Sequence, residues 1–120
     1  MLVQGEHCPR EVPSGEPERV VFNGYADQYT RSPLHAAAGE RVRIWVLDAG
    51  PQRPSSFHVI GGQFDTVWTE GRYLLDRAET TGAQAMALQP GQGGFVVLAL
   101  TEPGPSPFLS PGLVVAVRGA

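Results

Sequence analysis

Arg41-Val42-Arg43-Ile44-Trp45-Val46-Leu47-Asp48 alternates polar or amphipathic side chains with branched apolar ones through its first six positions. A period of two belongs to a strand with one face in a core and one face outward. Val42, Ile44 and Val46 make the inner row; Arg41, Arg43 and Trp45 make the outer one. Working outward, Gly39-Glu40 turns the chain before this strand and the loop Ala49 to Pro54 follows it. Phe57 to Ile60 reads as the next strand, stopped at once by Gly61-Gly62, and Asp65 to Trp68 as another. Phe95 to Leu100 is an unbroken apolar run, as expected of a strand covered on both faces.

The rest of the chain fits the same pattern. Arg19 to Phe22, Leu34 to Ala37, Phe108-Leu109 and Leu113 to Val117 are short strand candidates. Ala83 to Leu88 alternates weakly, with Ala83, Ala85 and Ala87 on one side and Met86 and Leu88 on the other. Tyr73 to Thr81 is the one stretch where a helical turn is expected. Pro90-Gly91-Gln92-Gly93-Gly94 is expected to be a hairpin turn; no Lys-Ser or Lys-Thr follows to make it a phosphate loop. Many short strands between turns predict an all-β sandwich or barrel. Residues 1–18, rich in proline, glycine and charge, are expected to form a flexible arm, and residues 19–120 the domain.

Composition narrows the function classes. The chain has 120 residues, enough for one domain with its own core. Fifteen glycines and eleven prolines favour turns over long helices. A net charge of -3 supplies no basic stripe for nucleic acid, although all nine basic residues are arginine. No run of about 18 apolar residues is present to span a membrane, and the N-terminus lacks the layout of a secretion signal. Cys8 is the single cysteine, so neither an internal disulfide nor a multi-thiolate metal site is available.

Three histidines are candidates for chemistry. His7 beside Cys8 reads as an exposed dipeptide of the arm, and His35 as a surface strand residue. His58 stands out because alternation turns Phe57 and Val59 one way, and His58 with Ile60 the other. An imidazole there can relay protons or bind a transition metal. It can equally be a half-buried side chain bonded to a backbone carbonyl. Asp65, Glu70 and Asp76 follow His58 without a second matching element, and read as solvated charges. Neither a nucleophile elbow nor a His-Glu-x-x-His pair occurs.

Val20-Val21-Phe22-Asn23-Gly24, Ala38-Gly39-Glu40-Arg41-Val42, Phe57-His58-Val59-Ile60-Gly61-Gly62 and Thr66-Val67-Trp68 occur in that order. In series they resemble the second cupredoxin domain of copper-containing nitrite reductases, and the matching domain of related bacterial multicopper oxidases, from about Val20 to about Leu109. The resemblance implies a Greek-key β-sandwich in a periplasmic or secreted homotrimer, with the catalytic copper between subunits. It also implies that His58 is a proton donor beside the copper and that Ile60 shapes the pocket over it. Ser110-Pro111 stands where such domains carry a histidine ligand, and the partner domain with its Cys-His motif is not in this sequence. The expectation is therefore copper in the parent family, none held by this chain alone, and no residue here assigned as a metal ligand. The alternative is a non-catalytic module that packs on other cupredoxin domains or on itself through an apolar strand, Phe108 to Val117. A metal-free enzyme using His58 and a nearby acid is the third expectation.

Overall fold

A computed structural model describes residues 2–7, 19–50, 53–110 and 113–119. Eleven strands and one short helix follow the chain. They are β1 Leu2–His7, β2 Arg19–Phe22, α1 Gln28–Arg31, β3 His35–Ala36, β4 Arg41–Asp48, β5 Ser55–Val59, β6 Phe64–Thr69, β7 Arg72–Leu75, β8 Ala85–Leu88, β9 Gly93–Ala99, β10 Pro105–Ser110 and β11 Leu113–Gly119. They build two sheets, ordered β2-β1-β4-β9-β6-β7 and β3-β11-β10-β5-β8. Neighbours are antiparallel except at β1–β4 and β11–β3. The all-β sandwich expected from the strand spacing is the observed architecture.

The core lies where the two inner faces meet. Val46, Val96 and Leu98 of the first sheet pack with Phe57, Val59, Met86, Leu88 and Phe108 of the second. Phe22, Phe57 and Phe108 form an edge-to-face and tilted trio with centroids 5.1–6.5 Å apart, and Phe64 stacks on Phe57 at 6.3 Å. Such geometries let ring edges meet ring faces and add to the gain from burying area. Strand β4 shows the expected alternation, with Val42 and Ile44 half-buried and Val46 buried against exposed Arg41, Arg43 and Trp45. Strand β9 sits between β4 and β6 and is buried on both faces, as its apolar run predicted. Asp48 closes β4 as a buried carboxyl; burial pushes its pKa up, although Gly50 N–H donates to Oδ1 at 3.0 Å.

Several local expectations need correction. Within the stretch expected to be an arm, Leu2–His7 is a strand between β2 and β4; Met1 and residues 8–18, with Cys8, lie outside the described residues. Its sequence, Leu-Val-Gln-Gly-Glu-His, has little apolar patterning of its own, so backbone pairing decides it. Tyr73 to Thr81 holds no helical turn: Arg72–Leu75 pairs with β6, and the helix is instead Gln28–Arg31. There Tyr29 packs on Phe108 at 5.7 Å and Gln28 Nε2 donates to the Phe22 carbonyl at 2.6 Å. The Pro90–Gly91 turn closes with Gln92 N–H donating to Gln89 O at 2.9 Å, but it is not a hairpin. It carries the chain from β8 in one sheet to β9 in the other. Finally, β11 pairs along its length with β10 and at Arg118 and Gly119 with β3. The apolar tail is thus a strand laddered to β10 on one side, with β3 pairing on the other side only at Arg118 and Gly119.

Candidate functional site

Strand β5 lies between β10 and β8, so its register fixes what surrounds His58. Leu109 of β10 stands opposite on one side and Ala85 of β8 on the other. Ser55, Phe57 and Val59 are buried, while Ser56 and His58 are half-exposed on the outer face. Ala85 and Ala87 are exposed on β8 with Met86 and Leu88 turned inward, as the weak alternation suggested. Two methyl-sized neighbours leave the imidazole uncovered on that side.

The imidazole does not rotate freely. His58 Nδ1 is hydrogen-bonded to the backbone carbonyl of Gln84. A carbonyl oxygen only accepts, so Nδ1 carries the hydrogen and Nε2 keeps the lone pair in the neutral ring. This contact realises the bonded-to-carbonyl alternative. It also produces the arrangement a relay or ligand needs, because the bond on one nitrogen orients the other. The site therefore presents one outward basic nitrogen, held by the strand and by a carbonyl from the segment before β8.

The Gly-Gly pair makes the turn that ends β5. Gly62 N–H donates to Val59 O at 3.1 Å, and Gly61 has φ +79, the left-handed value that the third position of a type II turn requires. Gly62 answers a different constraint: a Cβ there would stand 2.6 Å from Leu98 Cδ1 and 3.3 Å from Val59 Cγ1. Leu98 is itself 1% exposed and part of the core, so its shift would disturb packed neighbours. Gly62→Ala is accordingly expected to lose about 1–3 kcal/mol, the usual cost of overpacking. Thermal melting of the chain reads this as a clear fall in Tm; a melt within about 1 °C of the parent contradicts the packing.

Ile60 occupies the second position of that turn, 44% exposed, with its N–H donating to Pro107 O at 2.7 Å. It faces a cleft of about 510 Å³ closed on the far side by residues 100–107. His58 does not line this cleft, so the structure puts the two expected site residues on neighbouring surfaces of one strand end. His35 is exposed on β3, as expected. His7 ends β1, and Pro111 lies outside the described residues. Asp65 is no solvated loop charge: it sits at a bulge in β6, paired with Arg41 at 2.6 Å. Among the described residues no three His, Cys, Asp or Glu side chains gather. The described donors thus do not fit a copper site by themselves. Sequence reasoning missed the Gln84 carbonyl, since every residue has one and no side-chain pattern marks which will be used.

No family-wide sequence profile matches the chain. A copper-containing nitrite reductase from Neisseria gonorrhoeae is 39% identical over 90 residues, covering 74% of this chain and 22% of that protein. The copper-containing nitrite reductase of Thermus scotoductus superposes with a TM-score of 0.86 at 23% identity, over 99% of this chain and 30% of its own. A multicopper oxidase superposes with a TM-score of 0.82 at 19% identity, over 99% of this chain and 42% of its own. The chain thus spans less than half the length of these relatives.

Proposed function

We propose that this chain, a cupredoxin-like domain related to the copper-containing nitrite reductases and multicopper oxidases, is one part of a copper oxidoreductase. In this reading it works as a periplasmic trimer and sets His58 and Ile60 beside a copper centre at a subunit boundary. Ser110-Pro111 offers at most a hydroxyl, so the copper ligands come from other parts of the assembly.

The observation that carries the proposal is the His58 ring, half-exposed on the outer face of β5 with Nδ1 bound to the Gln84 carbonyl. Reducing nitrite to nitric oxide takes one electron and two protons and releases water. A copper centre supplies the electron, and side chains of the protein supply protons. Nε2 is the atom that holds and gives up a proton here, because Nδ1 is committed to the carbonyl. Ile60 gives the neighbouring turn a branched apolar surface that narrows the space left to a small ligand and to water.

A proton donor and a ligand differ in one measurable way. In the complete protein, His58→Gln is expected to leave the copper content per subunit unchanged. The isolated chain is expected to retain less than one copper after desalting. Loss of copper from the variant, or a full equivalent held by the chain alone with an intense visible band, overturns the assignment.

A further inference from the structure

The outer face of the six-stranded sheet, away from His58, carries a second concavity of about 420 Å³. Its floor is Val97 of β9 and Thr66 of β6, both buried. Arg41 and Arg43 of β4 border it on one side, and Arg77 on the other. We propose that this cleft is a binding site for a small oxyanion, a phosphate or a carboxylate, held by the guanidinium groups of Arg43 and Arg77.

The placement of these groups is built into the sheet. The register shift between Phe64 and Thr66 makes Asp65 the extra residue of a bulge, and the following loop is tied to it. Ala78 N–H donates to Asp65 O at 2.9 Å and Arg77 N–H to Thr66 Oγ1 at 3.2 Å. Arg77 itself has φ +46, a left-handed value uncommon for a residue with a side chain. Those two bonds, donated by the Arg77 and Ala78 N–H groups, hold the backbone there, and Arg77 lines the cleft. Bulges commonly re-aim side chains in this way.

The charges divide cleanly. Asp65 is neutralised by Arg41 through bonds of 2.6 and 3.2 Å, and accepts a further bond from Thr66 Oγ1 at 2.5 Å. Burial alone pushes the Asp65 carboxyl up, but the Arg41 and Thr66 bonds and the charges of Arg41 and Arg77 outweigh it and hold it low. Arg43 lies over the Phe95 ring at 4.5 Å, a cation–π contact that uses the face of the guanidinium and does not consume its N–H donors. Arg41–Asp65 is the ion pair found among the described residues, so Arg43 and Arg77 bring further positive charge to the cleft, that of Arg77 also felt by Asp65. Asp76 also lines it and opposes them, so binding is expected to be weak. Two forked guanidiniums across a small cleft match the two or more oxygens of an oxyanion. This site does not depend on the copper reading, since it lies on the other sheet.

The test is a two-dimensional amide NMR titration of the full chain with sodium phosphate, with sodium acetate as a second arm and sodium chloride at matched ionic strength as reference. Saturable shifts centred on Thr66 and Arg77 are expected with phosphate, acetate or both; phosphate alone marks a tetrahedral-anion site, and acetate a site open to carboxylates. Arg77→Gln, and separately Arg43→Gln, should weaken binding about tenfold, the worth of one charge-assisted hydrogen bond. Arg31→Gln on α1 should not. Retained amide dispersion shows that each variant is folded, and Arg77→Gln spares the Phe95 contact if Arg43→Gln disturbs the sheet. Shifts no larger than those in chloride, or affinity unchanged in both arginine variants, overturn the proposal.

Discussion

Phe57→Ala should cost about 3–5 kcal/mol, a large part of the stability of a domain this size. Phe57 is 1% exposed and touches the rings of Phe22, Phe64 and Phe108, which come from both sheets. Removing its ring leaves a cavity that three aromatic side chains on separate strands cannot close together. At about 4–8 °C per kcal/mol for a small domain, Tm should fall by more than about 12 °C. Phe57→Leu, which refills most of the volume, should fall far less. Because the same strand carries His58 on its other face, the core and the site fail together. A loss of less than about 1 kcal/mol in urea unfolding contradicts the core as described.

The second large effect concerns turnover. On the proposed function, His58→Gln in the assembled copper enzyme should lower nitrite reduction by about 10²- to 10⁴-fold, the range over which positioned acids and bases contribute. Glutamine is the informative replacement because its amide reaches about as far as Nε2 and can hydrogen-bond there while offering no titrating nitrogen. Substrate binding should change little. Turnover within about twofold of the parent removes His58 from the proton path.

Part of this was legible in the sequence because side-chain periodicity reports burial. The alternation of Arg41 to Asp48 and the apolar run from Phe95 to Leu100 each named the faces their strands present. The Phe57–Gly62 segment likewise named its turn, and the structure separates its two glycine requirements, φ at Gly61 and space at Gly62. The missed features are those that backbone pairing or distant contacts decide. Leu2–His7 becomes a strand because β2 and β4 offer it partners. The turn at Pro90–Gly91 looks the same whether it returns to its own sheet or crosses to the other, so the sequence pattern could not separate the two. Asp65 reads as a loop charge until the bulge and Arg41, 24 residues earlier, are seen together.

His58 shows both sides of this. Its outward direction followed from alternation, but its tautomer depends on a carbonyl 26 residues away in sequence. The tautomer is what the account turns on, and long-range proton–nitrogen correlation NMR of the imidazole reads it directly. In its neutral form the His58 ring should carry its hydrogen on Nδ1, with Nε2 showing the shift of an unprotonated nitrogen. A hydrogen on Nε2 instead would mean that the Gln84 carbonyl does not hold the ring, and that no outward lone pair is there to take a proton.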